Sequence, residues 1–363
     1  MLLSLSRGRG SWLCAGCRPF PVAGYVGVPA AGTVESAVRP APGVAGPYRN
    51  PVKGLQDPGR LVSSGYNRDT AKPTGRCVDN RTWGACVAEL TRLLDTWRCD
   101  LDSWAIPAHI SAAVAESPWV LARPVFARRA DRLSSAPSGP SYERAWAALD
   151  PPGSILDVGA GAGAACLPLL SRGTALTVVD RDAGMLALVA ERAAVLDVAA
   201  QCVHGSWPEA AAQVPAADLV TCHHVLYNVP DLAPFVSALT ARARRVVITE
   251  MTAEHPLVTL NGLWLKFHGL RRPESPTAAD LLQILAAMGL QPGHQRWRRP
   301  GAVDYASFEE LTDVTRRRLC LPPERAAEVA DALAEAGADP SHPGELASPG
   351  REVVTIWWQG GAD

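Results

Sequence analysis

Between residues 153 and 300, short β-branched runs alternate with Ala/Leu-rich stretches that carry apolar residues at steps of three and four. A two-residue period gives way to a helical one and returns, so the succession predicts βαβ units around a parallel sheet. The strands read as SILDVG, ALTVVD, ADLVTCH and RRVVITE. EVVTIWWQ and the weaker HQRWRR complete the set. The helices between them read as AGAACLPLLSRG, AGMLALVAERAAVL, DLAPFVSALTARA and TAADLLQILAAMGL, the last closed by Gly289. The expected fold class is α/β, a doubly wound, mostly parallel, seven-stranded Rossmann-like sheet.

Ahead of the sheet, WGACVAELTRLLDTWRCDLD places Val87, Leu90, Leu94 and Trp97 on one helical face. A second apolar stretch is broken by Pro118 and Pro124, and the helical SYERAWAAL follows a Ser/Pro/Gly turn. Residues 81–150 therefore read as a helical cap, and 151–363 as the main domain, with a helical insertion at about 304–339 before the last strand. Residues 1–80 are rich in Gly and Pro and show no sustained period, which predicts disorder or an over-extended start, since the next methionine is Met185. The opening segment is basic, but its apolar run is too short for a signal peptide. No run approaches the roughly 20 apolar residues of a membrane span.

Composition narrows the partners. A formal net charge of −1 over 363 residues demands no polyanionic ligand. Lysine occurs only at Lys53, Lys72 and Lys266, the mark of a GC-rich, bacterial genome. In such a chain the clusters Arg123, Arg128, Arg129, Arg132 and Arg296, Arg298, Arg299 read as solvated faces, and nucleic-acid binding is disfavoured. Of nine cysteines only Cys14 and Cys17 form C-x-x-C, with no second pair at zinc spacing, so no metal is expected and the thiols suit a reducing cytoplasm.

The run from Ile155 to Gly163 joins a strand to the next segment through Gly159, Gly161 and Gly163. Alternating glycines suit a turn where φ is positive or a ligand approaches the backbone, and a helix start beyond would offer free N–H groups to an anionic or polar group. The glycine spacing also fits G-x-G-x-x-A, shared with nicotinamide enzymes. Asp157 discriminates: a carboxylate at the strand's end suits a cationic amino group, which a pyrophosphate lacks. Asp180 ends the next strand about 20 residues on, where a carboxylate can accept from both ribose hydroxyls of either cofactor.

With these residues, roughly 150–300 resembles the class I S-adenosylmethionine (SAM)-dependent methyltransferases, whose first motif is matched by Asp157, Gly159, Gly161 and Gly163. The resemblance implies SAM as cofactor, Asp180 on the ribose, Met185 on the adenine, and Ser206 with Trp207 at the adenine edge. Plain core packing is the competing reading for Met185 and Trp207. Cys222 and His223 fall where a doubly wound sheet places its chemistry, and strand alternation allows one of His223 and His224 to face the crevice. His223 is expected beside the cofactor.

Methyl transfer from a sulfonium needs alignment more than acid or base work. His224 is the candidate general base, with His255 and Tyr227 behind it. No Asn-Pro-Pro-Tyr or Asp-Pro-Pro-Tyr follows the fourth strand, which disfavours nucleobase amines. Trp119, Arg123 and Phe126, with the stretch 254–272 containing Trp264, Phe267 and His268, are candidates for an acceptor pocket. The expected activity is methyl transfer to a small-molecule acceptor in the cytoplasm. A non-catalytic SAM-binding module and an NAD(P)-dependent oxidoreductase are the alternatives.

Overall fold

The computed structural model describes residues 80–119, 123–301, 303–344 and 350–362, with side chains from Gly84 onward. The expected extension over 1–80, with Cys14 and Cys17, lies outside the described residues apart from its last position.

Four helices come first, α1 (Asn80–Asp102), α2 (Ala108–Ser111), α3 (Arg123–Ser135) and α4 (Pro140–Ala148). Pro124 does not break α3 but stands second in it, where a missing N–H costs nothing. The sheet follows with β1 (Gly153–Val158), β2 (Gly173–Asp180), α5 (Ala183–Val195), β3 (Ala200–His204), β4 (Ala217–His223), α6 (Leu232–Arg242) and β5 (Ala243–Thr252). Then come α7 (Asn261–His268), α8 (Ala278–Ala287), β6 (Gly293–Pro300), α9 (Phe308–Arg318), α10 (Ala326–Glu335) and β7 (Gly350–Gln359).

The strand order is β3-β2-β1-β4-β5-β7-β6, with the first five parallel and β7 antiparallel to both neighbours. This is the expected seven-stranded, mostly parallel α/β sheet. Period-2 alternation sends Leu156, Val158, Val220 and Cys222 into one apolar layer with α6 and α8. Ile155 and Leu219 enter the opposite layer with α4 and α5. Helix α1 joins the first layer: Trp97 is fully buried there and its indole N–H donates to the Val229 carbonyl (2.8 Å). Val87, expected on the same face, is exposed.

One expected helix is corrected. After β1 the chain makes turns over 161–166 and then a 3₁₀ segment, Leu167–Arg172, rather than an α-helix. Gly163 has φ +90°, outside the helical region, and Pro168 lacks the N–H that would bond back four residues. The macrodipole expected from a helix N-terminus is therefore weak at this loop, leaving individual amides and side chains to meet a ligand.

Candidate active site

The carboxyl ends of β1, β4 and β5, the end of β6 and the start of β7 open onto one cavity of about 700 Å³, walled on the other side by α1 and α3. Doubly wound sheets bind ligands in this crevice.

Asp157 reaches it from β1. Its register partner on β4 is Thr221, whose hydroxyl donates to Oδ1 (2.8 Å). Oδ2 is buried without a hydrogen-bond partner among the described residues, and Asp157 is one of the residues on the cavity wall. Burial pushes the carboxyl up to about 6 against the pull of the Thr221 hydroxyl and the neighbouring Cys166 thiol, and the charge of Asp180 adds to the rise. A buried carboxylate with an open oxygen is incomplete until a cation meets it, and the ammonium of a SAM amino-acid end is a group of the right charge.

Gly159 and Gly161 line the same cavity with φ +71° and +52°. A Cβ at Gly159 would lie 2.4 Å from Val225, whereas one at Gly161 would meet only Phe126, at 3.8 Å. Gly161 thus keeps open the surface a ligand would occupy. Gly161→Ala is expected to cost about 1 kcal/mol of stability from the left-handed backbone yet to weaken SAM binding more than about tenfold, because the new methyl fills the cradle. Equal losses in titration and in denaturant unfolding would refute that. Gly163 stands apart, since its Cβ would strike Leu167 at 2.7 Å, a packing constraint.

Asp180 ties the loop down. Its Oδ2 accepts from the Gly161 amide and its Oδ1 from that of Asp182, both at 2.9 Å, and a second lone pair on each oxygen stays available to hydroxyls. Neither Asp180 nor Met185, Ser206 or Trp207 is on the cavity wall. Met185 is buried with Ala130 and Ala162, Ser206 is exposed, and Trp207 lies in the core with its indole N–H on the Phe235 carbonyl (3.2 Å). The packing reading of Met185 and Trp207 is the one this geometry matches.

Both histidines face the cavity, contrary to the expectation from alternation. β4 ends at His223, and His224 leaves it with φ +59°, so the two-residue period stops there. His223 is half-buried with its Nε2 buried and without a hydrogen-bond partner, and desolvation with the neighbouring His224 and Arg299 lowers it to about 3, which keeps it neutral. The Nε2 of His224 lies 3.2 Å from both terminal nitrogens of Arg299 and 3.2 Å from Glu250 Oε1. An imidazole nitrogen that accepts from a guanidinium is poorly placed to take a substrate proton, so this geometry makes His224 an orienting group. His255 is also neutral, lowered to about 4 by burial and by Arg272 and Arg351. Its Nδ1 accepts the Leu257 amide (3.3 Å), leaving Nε2–H as a donor, and its ring stacks on Trp104 (4.2 Å) with Tyr227 edge-on (5.6 Å).

Two charged groups at the cavity were missed. Glu250, at the crevice end of β5, is buried and binds the Ser141 hydroxyl through Oε2 and Arg299 through Oε1. A carboxylate following the apolar run VVI of β5, in register with His223, was the available signal. Arg299 had been grouped with solvated arginines. The cap arginines are corrected likewise: Arg129 and Arg132 grip Asp304 (2.9 and 2.6 Å), and Arg128 binds Glu310 (2.6 Å). Trp119 and Phe126 line the cavity, whereas Arg123 pairs with Asp182. Trp264 packs in the core, and His268 bonds the Leu319 carbonyl.

Among the described residues no cluster could hold a metal ion, and no helix is long and apolar enough to cross a membrane. Residues 128–295 match the model of a family described as a methyltransferase domain. No curated protein is similar to the chain in sequence. Solved structures similar to it include the YcgJ protein of Bacillus subtilis, at 16% identity over 61% of this chain and 97% of that one, TM-score 0.41. Magnesium protoporphyrin IX methyltransferase of Synechocystis with bound SAH is 15% identical over 65% and 84%, TM-score 0.40. A cyclopropane-fatty-acyl-phospholipid synthase-like protein of Lactobacillus casei is 15% identical over 69% and 97%, TM-score 0.43. The acidic residue and glycine loop at the carboxyl end of β1 lie inside the matched stretch, so residues 128–295 of this chain are a SAM-dependent methyltransferase domain.

Proposed function

We propose that the enzyme methylates a small-molecule acceptor held in the cavity between the sheet's carboxyl edge and the helices of residues 81–150. The observation that carries this reading is the buried carboxyl of Asp157, its Oδ2 without a hydrogen-bond partner, on the wall of the same cavity as the glycines Gly159 and Gly161. Asp157 would meet the ammonium of SAM, and Gly159 and Gly161 would let its amino-acid end approach the backbone. Asp180 would take the ribose hydroxyls, with Ser206 beside the adenine and Met185 and Trp207 as packed support beneath. Neutral His223 would present its imidazole to the cofactor's reacting end. SAM supplies an activated methyl group on a sulfonium, whose leaving thioether is neutral.

What the chain contributes is position. Aromatic walls exclude water, and the cap and the insertion at about 304–339 close the acceptor side through the Arg129/Arg132–Asp304 contacts. With its Nε2 taken up by Arg299, His224 enters this reading as the residue that holds that guanidinium. Cytoplasmic residence belongs to the same reading and rests on the sequence.

Isothermal titration with SAM and with NADH tests it. Binding of SAM in the micromolar range, lost by about tenfold or more in Asp180→Ala, is the expected result, as one charged hydrogen-bonding partner of the ribose is removed. NADH binding, or SAM affinity indifferent to Asp180, would overturn the assignment. SAM binding without S-adenosylhomocysteine release across an acceptor panel would favour a non-catalytic module.

A further inference from the structure

His255 is a hydrogen-bond donor fixed in direction before any ligand arrives. It precedes the short 3₁₀ turn Pro256–Leu260 after β5, and its Nδ1 accepts the Leu257 amide (3.3 Å). Trp104 of the cap stacks on the imidazole with centroids 4.2 Å apart, and Tyr227 from the turn after β4 meets it edge-on (5.6 Å). Trp104 is itself pinned, since its indole N–H donates to the Ser275 carbonyl (2.6 Å) and its own carbonyl accepts from Arg272. The ring plane is thereby set, and with Nδ1 accepting, the hydrogen of the neutral imidazole sits on Nε2. His255 is only 6% exposed and lines the cavity, and its Nε2–H donates to none of the described residues. A donor held this way selects a ligand atom that has a lone pair to give.

Strand order puts this donor on the acceptor side. β5 lies two strands from β1, roughly 10 Å at about 4.8 Å per strand, with β4 and His223 between them. With the amino-acid end of SAM at Asp157 and the glycine loop on β1, His255 stands past the sulfonium, where the acceptor atom has to come.

Lone pairs then decide which atom that is. An amine nitrogen has one, and methyl transfer consumes it, so an amine accepting from His255 could not attack. A hydroxyl oxygen has two, one for the Nε2 hydrogen and one for the methyl carbon. His255 cannot also take the proton the hydroxyl loses, because Nδ1 is spent on Leu257 and Nε2 already carries its hydrogen. Nε2 of His224 is spent on Arg299 in the same way. This suits an acceptor that sheds its own proton to water, as an aromatic hydroxyl does far more readily than an aliphatic one. Trp119 and Phe126 on the cavity wall suit the flat ring of such a molecule.

We propose that the acceptor is an aromatic hydroxyl compound methylated on oxygen, with that oxygen held by the Nε2–H of His255. The hydroxyl gives its proton to water and the oxygen bonds to the methyl carbon. The carbon–sulfur bond breaks with its electron pair returning to sulfur. The proposal rests on the methyltransferase reading, which places the acceptor at this end of the cavity, but the hydrogen bond itself is measured without turnover.

The test uses the full chain saturated with S-adenosylhomocysteine and titrated with para-nitrophenol, whose ionised form absorbs visible light, and with para-nitroaniline, an isostere carrying an amine. A donor favours the ionised oxygen, so bound para-nitrophenol is expected to ionise about one pH unit below the free compound. It should also bind about tenfold tighter than para-nitroaniline. His255→Phe keeps a ring against Trp104 but has no donor, and should abolish both effects. His255→Gln returns an amide N–H and should recover part of each. Arg272 and Arg351, the charges that face the ring, are the same in every variant, so their field cancels from the comparison. An unshifted ionisation, equal affinity for phenol and amine, no saturable binding of para-nitrophenol, or either effect surviving in His255→Phe would each overturn the proposal. S-adenosylhomocysteine affinity, measured on the same samples, reports both folding and the cofactor assignment. Its absence alongside an intact, His255-dependent shift would defeat the methyltransferase reading and leave the hydrogen bond standing.

Discussion

Replacing Asp157 by Asn is expected to weaken SAM binding by on the order of 10²-fold, because truncating one partner of a buried charge pair costs a few kcal/mol. The same substitution should stabilise the unliganded protein at pH 8. Both effects come from one carboxylate. Burial raises its pKa from 3.8 to about 6, so at pH 8 the folded protein carries a desolvated charge that the unfolded chain carries in water. Between about pH 4 and 6 the folded state binds the extra proton, so stability falls as pH rises through that window and is level above it. The accumulated penalty is on the order of 3 kcal/mol, and Asn removes it while still accepting the Thr221 hydroxyl. Melting curves should therefore show Asp157→Asn several degrees above the wild type at pH 8 and little different near pH 4. Wild-type affinity for SAM should drop about tenfold per pH unit below 6, as the carboxyl must first lose its proton. A stabilisation equal at both pH values, or SAM binding by Asp157→Asn within about threefold of wild type, would refute the role.

What could be read from the sequence follows from which interactions are local. The strands of the parallel sheet were legible because β-branched runs such as LTVVD and RRVVITE can be satisfied only in a buried sheet. β6 was faint because HQRWRR is polar and lies at the sheet edge, where alternate side chains stay in water. The helix after β1 was misread because its Ala/Leu content hid the two local breakers, Gly163 and Pro168. Asp157 and its glycines form a contiguous motif, so the sequence alone displays them together, and all but Gly163 are on the cavity wall. Glu250, Arg299, Asp304 and the cap arginines were not, since their meaning lies in pairings between residues more than 40 positions apart, and singly each resembles a surface charge. The two histidines fell between these cases: their sequence position was informative, but the left-handed backbone at His224 that turns both into the cavity was not.

Those long-range pairings carry the second large effect. Glu250→Ala is expected to destabilise the fold by about 3 kcal/mol, at the low end for a buried ion pair because 27% of the Arg299 side chain remains in contact with solvent. Glu250 lies on β5 and Arg299 on β6, with β7 between them, so the guanidinium reaches back across the intervening strand and fastens the antiparallel edge to the parallel core. Loss of the carboxylate leaves Arg299 facing Arg351 across the ladder and frees the Ser141 hydroxyl that tethers α4 to the same group. Adding Arg299→Met to Glu250→Ala should then recover stability rather than lose more, since the cost of the single change is an unanswered charge and not a missing contact. Urea unfolding of the four proteins measures the coupling. Simple additivity of the two substitutions would mean that the pair does not link β5 to β6 energetically, and that β6 is held to the sheet by β7 alone.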